Sequence, residues 1–297
     1  EMPFAQSNTA IRQDHAFDAD PPAREFAFSD ADFSMLSQFA YDSAGISLAS
    51  SKRNLVYGRL SRRLRALGIG SFAEYRSRLT TDRSEVQRFI NAISTNLTKF
   101  FREAHHFQHL EQAIIRPLSA LPKNASSKLR IWSAGCSTGE EPYSAAAILC
   151  RHIPDAARRD MRILATDIDT EVLAAAARGE YPAASVNDVP PGFRSMFEAP
   201  PDRSSAEKVQ VADGLRDLIR FRRLNLIEDW PFRGLFDVIF CRNVMIYFDA
   251  PTKARLLERF AERIKPGGWL YIGHSESLTR QHPLLELEGK TIYRRRG

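Results

Sequence analysis

The chain has 297 residues, of which 43% are hydrophobic and 26% charged, and its formal net charge is +6. This length allows two domains of ordinary size. No apolar run approaches the roughly 18 residues of a transmembrane helix, and the N-terminus lacks the apolar core of a signal peptide. We therefore expect a cytoplasmic protein without membrane insertion. The three widely spaced cysteines show no zinc pattern, which predicts reduced thiols and no bound metal.

The first third of the chain has the pattern of a helical domain. Residues 1–26 are polar with little periodicity, which predicts a mobile tail. Ser29 is typical of a helix N-cap, and the following apolar residues recur with helical spacing. Further helices are predicted at 51–67, at 72–79, from about residue 84 and at 107–115. Together they predict an N-terminal helical domain over 27–115.

The remainder has an alternating pattern. Segment 116–128 contains two prolines and several small polar residues, which predicts a linker. Beyond it, apolar strand-like runs alternate with helical stretches, which predicts an α/β domain with a doubly wound parallel sheet over 129–297. The predicted strands are 129–133, 162–166, 236–241 and 269–273, and the predicted helices are 140–151, 170–178 and 252–264. Segment 181–222 is too long for a loop and ends in a hairpin-like alternation, which predicts a small inserted antiparallel β-subdomain.

The segment RIWSAGCSTGEEPYS, residues 130–144, has the pattern of a strand, a tight turn and a helix start. Such a turn presents backbone N–H groups to a ligand and is typical of nucleotide pockets. Gly135 and Gly139 bracket the turn, although two glycines alone are also compatible with a purely structural turn. Glu140 and Glu141 open the helix, where they would repel phosphate and attract a sulfonium or an ammonium. The segment therefore favours S-adenosylmethionine (SAM) over NAD or ATP.

Polar side chains follow two further predicted strands. An acid at the end of the second strand of a doubly wound sheet typically receives ribose hydroxyls. We interpret Asp167 as this residue and Asp169 as the cap of the next helix, although a capping role is the alternative for either. Arg242 and Asn243 follow the strand at 236–241, at the edge where such sheets bind ligands. A guanidinium among apolar neighbours needs a partner, so core packing does not explain Arg242.

Several motifs in one order carry a resemblance to a known family. NLTKFFREAHHF, RIWSAGCSTGEEPYS, ATDID, LNL, FCRNVMIYFD and GGWLYIGHSES together resemble the CheR family, over residues 29 to about 294. CheR enzymes are SAM-dependent methyltransferases that esterify glutamates on bacterial chemoreceptors. The resemblance implies a helical domain, a linker and a SAM-binding domain with an inserted β-subdomain. It also implies SAM as cofactor and S-adenosylhomocysteine as product.

The resemblance also implies roles for individual residues. Arg102 and Tyr247 would lie nearest the transferred methyl group, and Glu140 or Glu141 would hold the methionine end of SAM. The other implied cofactor residues are Asn96, Thr98, Gly135, Asp167, Asn225, Leu226, Arg242 and Asn243. A glutamate carboxylate, with an unperturbed pKa of about 4.3, is ionised at neutral pH and needs no general base. Arg102 would then position the carboxylate, and Tyr247 would either donate a hydrogen bond to its second oxygen or contact the polarised methyl group.

The stretch from residue 43 to 73 has no acidic residue and carries a basic helix. The predicted substrate-binding residues there are Lys52, Arg53, Arg59, Arg62 and Arg63. A solvated helix face and a nucleic-acid surface are the alternatives. The resemblance favours a surface that steers the enzyme onto the acidic methylation region of a chemoreceptor. We expect no nucleic-acid partner.

Two functions from other classes remain as alternatives: a SAM-binding signalling module without catalysis, and a SAM methyltransferase with another acceptor. His105 and His109 are spaced to share one helix face, but no third ligand is evident and we expect no metal there. We expect a monomer. Docking of a receptor's C-terminal tail peptide on the inserted β-subdomain is left open.

Overall fold

The computed structural model describes residues 24–122, 128–198, 207–278 and 281–297. Four helices form the N-terminal domain: α1 (Asp30–Ala44), α2 (Arg53–Leu67), α3 (Phe72–Thr81) and α4 (Arg83–Ile93). The Ser29 side chain accepts a hydrogen bond from the Asp32 N–H, and Asp32 returns the bond, so the predicted cap is confirmed. Within the described ranges, none of the helices combines the length and the apolar character that crossing a bilayer requires.

The helical domain has its own apolar core, which extends into the predicted tail. Leu36, Leu60 and Phe89 are buried at its centre. Phe26 and Phe72 pack with ring centroids 6.5 Å apart, so the tail predicted over 1–26 ends before Phe26. The rest of that prediction, residues 1–23, lies outside the described residues.

A continuous helix follows, made of α5 (Ala104–His109), a π-helical segment (Leu110–Ile115) and α6 (Arg116–Ser119). Its buried side chains, including Phe107 and Leu110, belong to the core of the sheet domain. The helical domain therefore ends earlier than the predicted residue 115. The linker predicted over 116–128 begins inside this helix, in α6. Its residues 123–127 lie outside the described residues.

In the described part of the chain, ten strands form two sheets: β1 (Leu129–Ala134), β2 (Met161–Asp167), β3 (Glu180–Pro182), β4 (Phe197–Glu198), β5 (Lys208–Val211), β6 (Ile219–Arg223), β7 (Phe236–Cys241), β8 (Ile264–Ile272), β9 (Leu285–Gly289) and β10 (Ile292–Arg295). The large sheet has the order β6-β2-β1-β7-β8-β10-β9. Its first five strands pair in parallel, and β10 runs antiparallel to β8 and β9. Four helices connect these strands: α7 (Glu140–His152), α8 (Thr170–Arg178), α9 (Asp213–Arg216) and α10 (Ala250–Arg263). The predicted fold class is confirmed. The β9–β10 hairpin at the end of the sheet was not predicted from the sequence.

The inserted subdomain is the three-stranded antiparallel sheet β3-β5-β4. The predicted hairpin within 208–222 is wrong, because its two arms lie in different sheets. β5 pairs with β3 and β4, whereas β6 pairs in parallel with β2. The buried side chains of Leu215 and Leu218 hold the connection between the arms against the core. Alternation of apolar residues specifies a half-buried strand but not its pairing partner.

Candidate active site

A cavity of about 420 Å³ opens at the carboxyl edge of the large sheet. It lies where β1 has β2 on one side and β7 on the other, which is the position where open α/β sheets bind ligands. The structure brings nearly all predicted catalytic and cofactor residues to its lining: Asn96, Thr98, Arg102, Gly135, Glu141, Asp167, Asn225, Leu226, Arg242, Asn243 and Tyr247. Of the predicted substrate-binding residues, Lys52 lines it as well. Glu140 is the exception among the predicted cofactor residues.

The turn after β1 is built around a glycine that no other residue could replace without movement. Gly135 has φ +86°, and a Cβ there would collide with the side chain of Val244. The Gly135 N–H donates to the Thr166 carbonyl at 2.8 Å, and the Ser137 N–H donates to Asp167 Oδ2 at 2.8 Å. The turn is therefore fixed to the end of β2.

Asp167 and Asp169 have different environments at that strand end. Asp167 faces the cavity, accepts the Asp169 N–H at 3.0 Å, and has its pKa raised by burial. Asp169 Oδ1 accepts from the backbone of Glu171 and Val172 and caps α8, which confirms its predicted capping role. Its second oxygen accepts from Asn96 Nδ2 at 2.7 Å. Only Asp167 presents its carboxylate to the cavity, while Asn96 fixes the wall beside it.

The two glutamates at the start of α7 point to different places. The Glu140 carboxylate accepts from Thr138 Oγ1 at 2.7 Å and does not line the cavity, so its predicted contact with a cofactor is not supported by the geometry. Glu141 lines the cavity and accepts from Ser133 Oγ at 2.7 Å. Burial raises the pKa of Glu141, while the nearby Arg242 acts in the opposite direction. A cation in the cavity would stabilise this buried carboxylate.

Arg242 is the partner of Glu141. Its side chain is only 3% exposed, and its Nε lies 3.0 Å from Glu141 Oε2. Its Nη1 donates to the Arg102 carbonyl at 2.6 Å. The guanidinium that core packing could not explain is thus paired, and it connects α7 to the segment that carries Arg102.

Asn243 continues the floor in a left-handed conformation, with φ +57°. Its N–H donates to Glu276 Oε2 at 2.7 Å, and the same oxygen accepts the Gly273 N–H at 2.7 Å. Burial raises the pKa of Glu276. Sequence reasoning missed Glu276, although a polar HSES segment directly after a buried strand was a usable signal.

Further lining of the cavity comes from the loop between α1 and α2, the segment after α4, and the segment after β7 that carries Tyr247. Arg102 Nη1 donates to the Leu97 carbonyl at 2.8 Å, and the Tyr247 hydroxyl donates to the Thr95 carbonyl at 3.2 Å. Burial raises the pKa of Tyr247, so the hydroxyl keeps its proton at neutral pH. The Ser47 N–H donates to the Tyr247 carbonyl at 2.8 Å. The loop between α1 and α2 that carries Ser47 also lines the cavity, and no sequence motif indicated it.

Asn225 joins the two domains. It is 2% exposed, and its Nδ2 donates to the Ser43 carbonyl at 2.9 Å and to Glu228 Oε1 at 3.0 Å. Its neighbour Leu226 is also buried and lines the cavity.

The predicted basic surface on α2 is smaller than expected, because three of its arginines bind their own chain. Arg53 pairs with Asp30 at 2.9 Å, and Arg59 Nη1 donates to the last carbonyls of α4, the shortest bond being 2.6 Å to Ser94. Arg63 pairs with a buried Glu85 at 2.7 Å. In the described part of the chain, the Lys52 and Arg62 side chains are exposed without an ion pair or hydrogen bond.

The histidines lie beside Arg242. Donor atoms of Glu103, His105 and His106 lie within 4.8 Å of one another. However, Arg242 Nη1 is 3.3 Å from His106 Nδ1, and a fixed positive charge there opposes a second cation. His109 Nδ1 instead lies 2.7 Å from the Tyr271 hydroxyl.

The sheet order, the acid at the end of β2 and the acid at the start of α7 define a nucleoside-cofactor enzyme of the α/β class. Comparison with known protein families identifies one family for both domains of the chain. Residues 31–94 match the all-alpha domain of CheR methyltransferase, and residues 96–293 match its SAM binding domain. The chain belongs to the CheR methyltransferase family, so it is a SAM-dependent methyltransferase, and the predicted family and cofactor are confirmed.

Curated relatives are similar over most of their length. Chemotaxis protein methyltransferase 2 of Pseudomonas aeruginosa is 45% identical over 271 residues, which cover 91% of this chain and 95% of that protein. The chemotaxis protein methyltransferase of Escherichia coli is 42% identical over 270 residues, with 90% and 91% covered.

Proposed function

We propose that this protein transfers the methyl group of SAM to glutamate side chains of bacterial chemoreceptors, forming methyl esters, and that it acts as a cytoplasmic monomer. The names of the relatives support a role in chemotaxis. The observation that carries the glutamate assignment is the placement of Arg102 and Tyr247. Both side chains line the same cavity as Glu141. An arginine and a tyrosine suit a carboxylate acceptor.

The residues of the cavity fit SAM. We propose that Glu141 holds the ammonium of its methionine end, because this buried carboxylate gains most from a cation. Asp167 would accept the ribose hydroxyls, and Asn225 and Leu226 would bracket the adenine. When bound, SAM supplies a methyl group on a sulfonium, already activated for displacement.

The protein's part in the reaction is then to align and dehydrate the acceptor. The glutamate is already ionised, with an unperturbed pKa of about 4.3, so no general base is needed. Arg102 uses one N–H for the Leu97 carbonyl and keeps others for the carboxylate. Tyr247 keeps its one hydroxyl proton and can donate it to the second carboxylate oxygen by exchanging its bond to the Thr95 carbonyl for one to the substrate. Held between these donors, one oxygen can face the methyl carbon along the line of displacement.

The mouth of the cavity supports a helical protein substrate. Three apolar side chains that line it are exposed: Leu97 at 82%, Ile246 at 46% and Leu55 at 38%. Lys52 lies beside them and Arg62 is exposed further along α2. We propose that an acidic receptor helix covers this rim, with its apolar side chains on Leu97 and its carboxylates towards Lys52.

A second docking surface is available on the small sheet. Its outer strands β3 and β4 each have one edge that pairs with no described strand. An extended peptide can add to such an edge through main-chain hydrogen bonds. We propose that a receptor's C-terminal tail peptide binds at one of these two edges, on β3 or on β4.

The test of the function uses SAM labelled in the methyl group, the full-length protein and membranes that contain chemoreceptor. Alkali should release volatile methanol from the labelled receptor. Alkali-stable label would indicate a different acceptor, and no label despite binding of S-adenosylhomocysteine would indicate a signalling module. The Glu141→Ala variant, which lacks the proposed ammonium ligand, serves as the unlabelled control.

A further inference from the structure

His106 lies outside the cavity but beside its central arginine. It sits on α5, is fully buried, and stacks on Tyr271 with ring centroids 5.1 Å apart. Its Nε2 lies 2.9 Å from Thr291 Oγ1, and its Nδ1 lies 3.3 Å from Arg242 Nη1. The imidazole thus bridges the β9–β10 hairpin and the floor of the cofactor site.

The partners of His106 determine where its proton sits. A guanidinium can only donate, so Nδ1 must offer its lone pair to Arg242. In a neutral imidazole the proton is then on Nε2, and Thr291 Oγ1 accepts it. Burial and the positive charge of Arg242 lower the pKa of His106 to about 2, so the ring is neutral at physiological pH. Glu103 Oε2, at 3.5 Å from Nδ1, is the nearby group that would favour the opposite arrangement.

Arg242 transmits this arrangement to the site. Besides His106, its Nη1 donates to the Arg102 carbonyl at 2.6 Å, and its Nε lies 3.0 Å from Glu141 Oε2. The two hydrogens of Nη1 are therefore divided between His106 and the Arg102 backbone. A rotation of the guanidinium would move both the segment that carries Arg102 and the carboxylate of Glu141.

We propose that His106 is a positioning residue for methyl transfer, and that its Nδ1 lone pair holds Arg242 so that Arg102 and Glu141 keep their places. Thr291 selects the tautomer by accepting the Nε2 proton. The inference rests on the proposed function only for the roles of Arg102 and Glu141. Binding of S-adenosylhomocysteine to the purified full chain tests it without any receptor, so its failure is distinguishable from a failure of receptor methylation.

The first experiment compares two amides at one position. In His106→Asn the amide oxygen lies near the place of Nδ1 and can accept from Arg242, whereas in His106→Gln it lies near the place of Nε2. Calorimetry should show about tenfold weaker binding of S-adenosylhomocysteine for His106→Gln than for His106→Asn, as expected for loss of a hydrogen bond to a charged group. Equal affinities in the two variants would overturn the proposal.

The second experiment leaves the histidine in place and protects the test against variants that fail to fold. Thr291→Val has nearly the shape of threonine but cannot accept the Nε2 proton, and Thr291→Ser retains the hydroxyl. We expect about fivefold weaker binding for Thr291→Val and little change for Thr291→Ser. Nitrogen NMR of labelled histidine should show the Nε2–H tautomer in the wild type. Wild-type affinity of Thr291→Val, or an Nδ1–H tautomer in the wild type, would overturn the proposal.

Discussion

The two walls of the cavity are built differently. On the sheet side, Glu141, Arg242 and Asn225 are at most 8% exposed. Glu141 and Arg242 pair with each other, and Asn225 binds the Ser43 carbonyl of the helical domain. On the helical side, the wall consists of loops, and Leu97 is 82% exposed. The sheet wall therefore has its geometry fixed before a ligand arrives, as cofactor binding requires. The loop wall retains exposed apolar surface, which suits a substrate that comes and goes.

The largest expected effect is on the sheet wall. Glu141→Gln leaves the buried Arg242 without its anion and should lower the free energy of unfolding by about 3–5 kcal/mol. It also removes the proposed partner of the ligand's ammonium, so binding of S-adenosylhomocysteine should weaken by about tenfold or more. The neighbouring Glu140→Gln is the matched control, because that carboxylate binds Thr138 and not the cavity. Calorimetry on both variants gives the measurement. If Glu140→Gln weakened binding of S-adenosylhomocysteine as much as Glu141→Gln does, the assignment of the ammonium contact to Glu141 alone would be wrong.

The next effect is on the stability of the helical domain. Arg63→Met leaves Glu85, whose side chain is fully buried, without its main cation and should lower the free energy of unfolding by about 3 kcal/mol. Arg62→Met, one residue away and exposed, should change it by less than about 0.5 kcal/mol. Urea denaturation measures both. If the folded Arg63→Met protein showed weaker receptor binding and normal stability, the basic surface would include Arg63 after all.

A third prediction concerns the chemical step. Arg102→Ala should lower kcat by about a hundredfold because the acceptor loses its alignment, and Tyr247→Phe should lower it less. Affinity for S-adenosylhomocysteine should be nearly unchanged in both. Tyr41→Phe is the control, since its hydroxyl binds Asp249 and does not line the cavity. Full-rate methylation by either site variant would contradict the assigned roles.

The smallest effect is expected at the rim. The double variant Lys52→Glu and Arg62→Glu should raise KM for receptor by about threefold to tenfold at low salt, because steering is electrostatic. The difference should shrink at high ionic strength. The kcat at saturating receptor should not change, and the single variant Arg62→Glu, at a residue outside the cavity lining, should keep the cofactor affinity of the wild type. A KM that is unaffected at low salt would leave the apolar residues of the rim as the main contact.

How much the sequence could predict depended on whether a signal was local. The apolar runs of β1 and β7 predicted their strands well, and Ser29 predicted its cap. The β9–β10 hairpin was missed because residues 285–295 carry charges along an edge of the sheet, so no strong apolar pattern appears.

The intramolecular partners of Arg59 and Arg63 were missed for a similar reason. Helical periodicity correctly placed Arg59 and Arg63 in one sector of α2, but it could not show that this sector faces α4 and its carbonyls. The hydrogen bonds of Glu276 and the loop at Ser47 depend on contacts between distant segments. Neither the amino-acid composition nor the spacing of residues within one segment shows which distant segments will be in contact.

Asn225 shows a consequence of building a site from two domains. The same side chain lines the proposed adenine end of the cavity and donates to the Ser43 carbonyl at the end of α1. Thermodynamic linkage is reciprocal, so a cofactor that favours this arrangement must tighten the helical domain against the sheet by the same factor. A receptor that pulls on the helical domain would then change the affinity of the enzyme for its cofactor.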